Sequence, residues 1–280
     1  MAPALPHWDD LAGCADDQWP LLGAVLRVAA DEYPDLDACG CNRQLQELAD
    51  AIAPAIARTT DRRRQLELIN THLFGPGRFR ANAVDYYAAD NNHLNRVLAT
   101  RRGNPITLSI VQMDIASRLG VPLQGIAFPG HFVTRLAVDR ENVLISDPYQ
   151  GGKWLSLHEL GQIAARHLGD LALEPELLQR LLIPTPVRGI TLRLLRNLQR
   201  SWTAQGQWER VARCADRQLC LAPEQTEALR DRGMAYLKMG HAAAARHDLV
   251  AYLQQRPDAA DAADITALLG QLVLQTARLH

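Results

Sequence analysis

The chain has 280 residues, of which 48% are hydrophobic and 22% are charged. These values are typical of a globular protein with one large or two modest domains, and they exclude disorder over most of its length. The formal net charge is -1, from 30 Lys and Arg residues against 31 Asp and Glu residues. A chain so close to neutral has no overall positive field to attract nucleic acid or an anionic membrane.

No apolar stretch approaches the ~18 residues of a transmembrane helix, and the first residues lack the basic and apolar segments of a signal peptide. We therefore expect a cytoplasmic protein without a nucleic-acid or membrane partner. Five cysteines are few and odd in number, which favours reduced thiols.

We expect no metal and no cofactor. Cys39 and Cys41, which we place in a loop, lack two further ligands at the local spacing of a zinc site. Cys214 and Cys220 are predicted to pack within a helix. The chain has no glycine-rich loop of the kinds that bind nucleotide phosphates.

The N-terminal part is predicted to be helical. Apolar residues at three-and-four spacing predict helices over 21–33, 43–58, 61–73 and 90–103. Pro54 is expected to kink or break the second helix, and Asp61 to cap the third. Gly103 is expected to close the fourth.

The next helix, over 104–119, has strong signals at both ends. Asn104 is a good N-cap, Pro105 suits the first helical position, and Gly120 is expected to end the helix. Three β-like runs follow, the last two joined as a hairpin by the turn DREN, over 123–128, 131–138 and 142–146. Helices are then predicted over 156–168 and 173–182.

Beyond residue 190 the sequence repeats with a period of 34 residues. The matched positions are an aromatic, a glycine, a leucine and a proline pair: Trp202 and Tyr236, Gly206 and Gly240, Leu219 and Leu253, Pro223 and Pro257. This pattern is typical of tetratricopeptide repeats, although a plain helical bundle is an alternative. We predict two helix pairs and a terminal capping helix over 260–277.

A histidine and an aspartate stand at neighbouring ends of the predicted hairpin. If Val138 pairs with Asn142, paired residue numbers sum to 280, and His131 lies diagonally beside Asp147, ~7–8 Å away on the same face. A carboxylate bonded to an imidazole is the second half of a nucleophile–base–orienter triad. Alternatively, His131 caps its strand while Asp147 makes an Asx turn with Pro148.

These residues belong to stretches of sequence that resemble a known family. The runs NNHLNRVLATRRGNPITLSIVQMDIASRLGVPLQGIAFPGHFVTR and DPYQGG resemble the SirB1 family of bacterial proteins, over roughly residues 20–280. The resemblance implies an α+β, papain/transglutaminase-like core with a short antiparallel sheet, followed by an all-α tetratricopeptide-repeat domain. We expect the first domain over 1–183, a linker over 184–189 and the repeat domain over 190–280.

The resemblance also assigns roles to residues. In active transglutaminase-like enzymes a cysteine at the N-terminus of the core helix is the nucleophile, a histidine on a following strand is the base, and an aspartate on the next strand orients it. His131 and Asp147 match the last two roles. The nucleophile position falls at Pro105 or Ile106, neither of which has a nucleophilic atom.

Thr107 is the nearest hydroxyl to this position, but a hydroxyl is a far weaker nucleophile than a thiolate. Its alternative role is to bond the backbone of its own helix. The residues expected to line the cleft are Asn104, Pro105, Phe128, Gly130 and Tyr149.

We favour a non-catalytic scaffold, a pseudoenzyme that acts by binding a protein or peptide partner and that the family resemblance links to regulation. The alternative is an acyl-transfer enzyme, amidase- or protease-like, in which His131 and Asp147 serve a non-standard nucleophile: Thr107, a distant cysteine or water. A third interpretation, nucleic-acid binding through arginine-rich helices, is disfavoured by the net charge.

Overall fold

The computed structural model of the protein describes residues 5–139, 142–168 and 175–277. The chain divides into two compact units. Ala15–Arg193 forms most of the first unit, and His7–Cys14 joins the chain from Leu194 onward in the second.

Helices dominate both units. In chain order they are α1 (Trp8–Gly13), α2 (Leu21–Ala30), α3 (Ala38–Asp50), α4 (Ala53–Ile56), α5 (Arg62–Phe74), α6 (Leu94–Thr100), α7 (Pro105–Arg118), α8 (Leu157–Leu168), α9 (Pro175–Leu181), α10 (Val187–Ala204), α11 (Trp208–Leu221), α12 (Glu227–Lys238), α13 (Ala242–Gln255) and α14 (Ala262–Ala277). None of the helices in the described part of the chain combines the length and apolarity that a bilayer crossing requires.

Six short strands lie in the first unit: β1 (Arg80–Ala81), β2 (Arg102–Gly103), β3 (Leu123–Ile126), β4 (Val133–Ala137), β5 (Val143–Asp147) and β6 (Lys153–Trp154). β1 and β2 form a parallel pair, and the other four form an antiparallel sheet in the order β3-β4-β5-β6. The first unit is therefore α+β with a short antiparallel sheet and the second is all-α, which confirms the predicted fold class.

Helix α7 is the central element of the first unit. Asn104 Oδ1 accepts the backbone N–H of Thr107 at 3.0 Å, and Pro105 occupies the first helical position, as predicted. Eleven of its 14 residues are buried, so the helix buries more than one face. It packs against α3, α5, β3 and β4.

The hairpin has the predicted register. Thr134 pairs with Ser146, so paired numbers sum to 280, and Val138 N donates to Asn142 O at 3.0 Å. Residues 140 and 141 of the predicted turn lie outside the described residues, as do 173 and 174 of the predicted helix over 173–182. The sequence did not predict β6, which pairs Lys153 with Asp147.

Two local predictions are wrong. The helix predicted over 90–103 covers only Leu94–Thr100 and is closed by Arg101 in the left-handed region (φ 57°), because Gly103 belongs to β2. Cys39 and Cys41 lie in α3 and not in a loop, because Asp37 accepts the backbone N–H of Gly40 at 2.8 Å and starts the helix before them.

The structure also shows where the helices near Pro54, Asp61 and the predicted linker begin and end. Pro54 stands in the first turn of α4, two residues after a break in the predicted helix over 43–58. Asp61 caps α5 by accepting Arg63 N at 3.0 Å. Helix α10 begins at Val187, within the segment predicted as a linker.

The second unit contains the predicted repeat. Gly206 and Gly240 occupy matching turns with φ of 68° and 80°, a region that glycine enters without steric cost. Each turn joins two helices, α10 to α11 and α12 to α13. The second helix of each pair ends two residues before Pro223 or Pro257, and α14 follows as the predicted terminal helix.

Candidate functional site

The predicted histidine and aspartate form a direct hydrogen bond. His131 Nε2 lies 2.8 Å from Asp147 Oδ2. Because a carboxylate only accepts, Nε2 carries the hydrogen and Nδ1 is the basic ring nitrogen. The imidazole is 13% exposed and the carboxylate is fully buried, so a ligand can approach the pair only from the histidine side.

The backbone before β4 fixes the position of His131. Its N–H donates to Phe128 O at 3.0 Å, across a turn in which Gly130 has a φ of 65°. The ring of His167 lies against Gly130, where a side chain would not fit. Arg193 Nη2 donates to the carbonyls of His131 at 2.9 Å and Phe128 at 3.3 Å. The loop is therefore held from both sides.

Asp147 is held by four hydrogen bonds. Its Oδ1 accepts the backbone N–H groups of Tyr149 and Gln150 at 2.9 and 3.3 Å, and its Oδ2 accepts Gln150 Nε2 at 2.8 Å in addition to His131. Both roles that the sequence offered for Asp147 are therefore present. Asp147 makes the Asx turn and orients the imidazole at the same time.

A tyrosine cluster, Tyr86, Tyr87 and Tyr149, adjoins the imidazole. The ring centroid of Tyr149 lies 6.1 Å from that of His131 and 5.9 Å from that of Tyr86, which lies 5.0 Å from Tyr87. Burial raises the pKa of Tyr86 and of Tyr149, so both remain hydroxyl donors at neutral pH. Tyr87 is 75% exposed and Val84 beside it is 93% exposed.

Buried amides connect the start of α7 to this cluster. Asn104 Nδ2 donates to Asn92 Oδ1 at 2.6 Å, and Thr107 Oγ1 donates to Asn91 O at 2.8 Å. Asn91 Nδ2 in turn donates to the carbonyl of Tyr86 at 3.0 Å. The helix start, with its long-range amide partners, therefore holds the loop that carries Tyr86 and Tyr87.

Comparison with known proteins gives the family. Residues 40–196, more than half of the chain, match the family described as "Transglutaminase-like superfamily". The chain is a member of that superfamily. Residues 198–270 match the tetratricopeptide repeat, so the transglutaminase-like region is followed by repeats.

The curated relatives include proteins that the chain matches over most of their length and a larger protein that it matches over a small part. A UPF0162 protein of Xylella fastidiosa is 42% identical over 253 residues, 90% of each chain. A UPF0162 protein of Vibrio cholerae is 26% identical over 224 residues, 80% of this chain and 81% of its own. F-box only protein 21 of Mus musculus is 33% identical over 110 residues, which are 37% of this chain and 18% of the mouse protein. No solved structure matches the chain.

In this transglutaminase-like chain the predicted nucleophile position is filled by packed side chains. Pro105 and Ile106 are buried at the start of α7. Thr107 is fully buried, and its hydroxyl hydrogen is engaged by the carbonyl of Asn91 while its oxygen accepts the backbone N–H of Asn104 at 3.2 Å. Ser109 Oγ donates back to Pro105 O at 2.8 Å.

The cysteines of the transglutaminase-like unit lie in the first turn of α3. Cys39 is exposed and Cys41 is half-buried. Burial, reinforced by Asp37, raises the pKa of the Cys41 thiol, the opposite of what an activated thiolate requires. Within the described residues there is no group of three His, Cys, Asp or Glu side chains placed to hold a metal ion.

The residues expected to line a cleft occupy different environments. The Phe128 side chain is fully buried in a core cluster with Ile126 and Leu160, and only its carbonyl takes part in the site. Asn104 and Pro105 are buried at the helix start, whereas Gly130 and Tyr149 adjoin the imidazole.

Sequence reasoning missed two residues that support the site. Gln150 lies in the DPYQGG run, three residues after Asp147. Its amide at that spacing from an aspartate expected to make an Asx turn could have suggested a donor to the carboxylate. Arg193 is 62 residues from His131 and falls in the segment predicted as repeat, where no local signal connects it to the site.

Proposed function

We propose that this chain is a non-catalytic transglutaminase-like protein of the SirB1 type, which recognises a segment of another protein beside the His131–Asp147 pair. One observation carries the proposal: the helix start that supplies the nucleophile in active enzymes bears the buried residues Pro105, Ile106 and Thr107, none of which presents a reactive atom. An orienting pair without a nucleophile is a polar anchor for a ligand.

The exposed side chains near the imidazole suit a protein ligand. Val84 and Tyr87 are among the most exposed large apolar side chains of the described residues. Aromatic side chains supply large contact area at small conformational cost, and they are enriched where proteins bind one another. The tetratricopeptide repeats add a second surface of a type that takes up peptides or helices.

Reactive probes test the absence of catalysis. Thiol- and hydroxyl-directed activity probes are incubated with wild type, His131→Ala and the control His158→Ala, which removes an exposed histidine of α8. We expect the same background labelling in all three proteins. Labelling of wild type and His158→Ala that disappears in folded His131→Ala would contradict the proposal.

Site-specific photocrosslinking tests recognition. A photoreactive amino acid replaces Tyr87 in one protein and Leu157, which is 63% exposed, in the control. After irradiation of cells that produce each protein, we expect discrete crosslinked protein bands from position 87. The same bands should be absent from position 157. No crosslink at position 87, or the same bands from both positions, would contradict recognition at the tyrosine cluster.

The His131–Asp147 hydrogen bond favours one alternative, an acyl-transfer enzyme in which Nδ1 of His131 activates water. A base held by a buried, fully bonded carboxylate is the arrangement that such chemistry uses. Hydrolysis of amide or ester substrates that is lost in His131→Ala and retained in His158→Ala would establish this alternative.

A further inference from the structure

Two neighbouring strands of the first unit place arginines side by side. Arg80 of β1 and Arg102 of β2 are cross-strand partners in the parallel pair, and both are exposed. Paired strands lie about 4.8 Å apart and partner side chains leave the same face. Two like charges held in this way repel each other, and an anion between them would offset that repulsion.

Two further arginines flank the pair. Arg78 precedes β1 in an exposed turn, and the Arg101 guanidinium lies 4.5 Å above the ring of the buried Phe79. We call Arg78, Arg80, Arg101 and Arg102 the arginine cluster. None of the four has an ion pair or a side-chain hydrogen bond with any residue that the structure describes, whereas Arg63 and Arg64 on nearby α5 both pair with Glu67.

Arg101 of the cluster has an unusual backbone conformation. Its φ of 57° is the only positive φ of a non-glycine residue among those described. Glycine or asparagine adopts this conformation more easily, and other residues held in it cluster at functional sites. The conformation lets α6 end and β2 begin within one residue, with the guanidinium over Phe79.

His72 lies behind the cluster. The carbonyl of the next residue, Leu73, accepts Phe79 N at 2.9 Å, so the end of α5 adjoins the ring that Arg101 covers. His72 Nε2 is buried and has no hydrogen-bond partner in the described residues. Burial lowers the pKa of His72, and Arg78 and Arg101 lower it further. An anion at the cluster would offset the effect of the two arginines and raise the pKa of His72.

We propose that the arginine cluster is a binding site for a small anion that carries at least two linked phosphate groups. Guanidinium groups bind phosphate oxygens through paired N–H donors, and the side-by-side Arg80 and Arg102, with Arg78 and Arg101 at their flanks, match a multiply charged ligand better than a single carboxylate. The site is formed by β1, β2 and their flanks, and it uses none of the residues of the His131–Asp147 pair.

Calorimetric titration of the full-length protein with pyrophosphate, in chloride buffer, tests this proposal. We expect saturable binding that weakens at least about tenfold in Arg80→Gln/Arg102→Gln. The matched control, Arg63→Gln/Arg64→Gln, removes the same charge from α5 and is expected to bind within about twofold of wild type. Arg78→Gln, a single change in an exposed turn, is expected to weaken binding in the same direction.

Nuclear magnetic resonance titration of His72 reports on the location. Saturating pyrophosphate is expected to raise the His72 titration midpoint in wild type and in the α5 control. The proposal fails if pyrophosphate does not bind saturably, or if the cluster and control variants weaken binding equally. It also fails if the His72 midpoint does not move, or if a short duplex oligonucleotide binds and pyrophosphate does not.

Discussion

Asp147 shows how one residue can serve two structural roles. Its carboxylate closes the turn after β5 through two backbone N–H groups and also holds the imidazole of His131. The sequence presents these roles as alternatives because each is the common reason for an aspartate in that position. They coexist because a carboxylate has acceptor sites for about four hydrogen bonds.

Replacing Asp147 with asparagine is expected to lower the free energy of unfolding by about 3 kcal/mol. The amide keeps one acceptor oxygen but turns an N–H₂ group toward donors, so buried partners are left unsatisfied. Urea denaturation measures the change. The control Asp50→Asn alters an exposed carboxylate bonded to Gln46 on α3 and should stay within about 0.5 kcal/mol of wild type. Equal losses would refute the structural role of Asp147.

The site was predictable where its residues are close in sequence. His131 and Asp147 meet through a hairpin whose register follows from a short turn, and the prediction of that register is confirmed. Arg193 joins the same loop from a helix 62 residues further along. Its contact depends on how α10 packs, which no spacing in the sequence encodes.

Helix α7 shows the same difference between signals that are local in the sequence and contacts with residues distant in the sequence. Its cap and its first-turn proline are local signals, and both predictions are confirmed. The partners of that cap are Asn91 and Asn92, which lie 16 and 12 residues from the groups they bond, Thr107 and Asn104. The sequence places these asparagines in the helix predicted over 90–103, and no local spacing connects them to α7.

The start of α8 gives a prediction about pH. Glu159 accepts Lys153 Nζ at 2.6 Å and both the backbone N–H and hydroxyl of Ser156 at 2.9 and 2.8 Å, and these bonds lower its pKa to about 2. A lowered folded-state pKa stabilises the fold above the unfolded value, about 4.3, and this contribution is lost as the pH falls toward 2.

Carbon-13 titration of the Glu159 carboxyl should therefore show a midpoint of about 2. Lys153→Met removes the largest cause and should move the midpoint upward, although Ser156 still holds it below the ordinary value. The chain has one other lysine, Lys238 in the second unit, and Lys238→Met should leave the midpoint unchanged. A wild-type midpoint near 4.5 would show that these bonds do not persist in solution.

The repeat was predictable because the same pattern of residues occurs twice in the sequence. Gly206 and Gly240 mark equivalent turns, and the helices between them have the predicted order. The contribution of His7–Cys14 to the second unit was not predictable. A helix of six residues has too few positions for a periodic pattern, and its partner α11 begins about 200 residues later in the chain.

Trp8→Ala tests whether this N-terminal segment stabilises the repeat unit. Trp8 is buried, its ring lies 5.1 Å below the Arg217 guanidinium, and its carbonyl accepts Cys220 Sγ–H at 3.6 Å. Removing the indole from α1 leaves a cavity against α11 and is expected to destabilise the unit by about 3 kcal/mol. Hydrogen–deuterium exchange should then be faster along α11, while Trp154→Ala in the first unit leaves that helix protected. Unchanged protection of α11 in Trp8→Ala would mean that the repeats fold without residues 7–14.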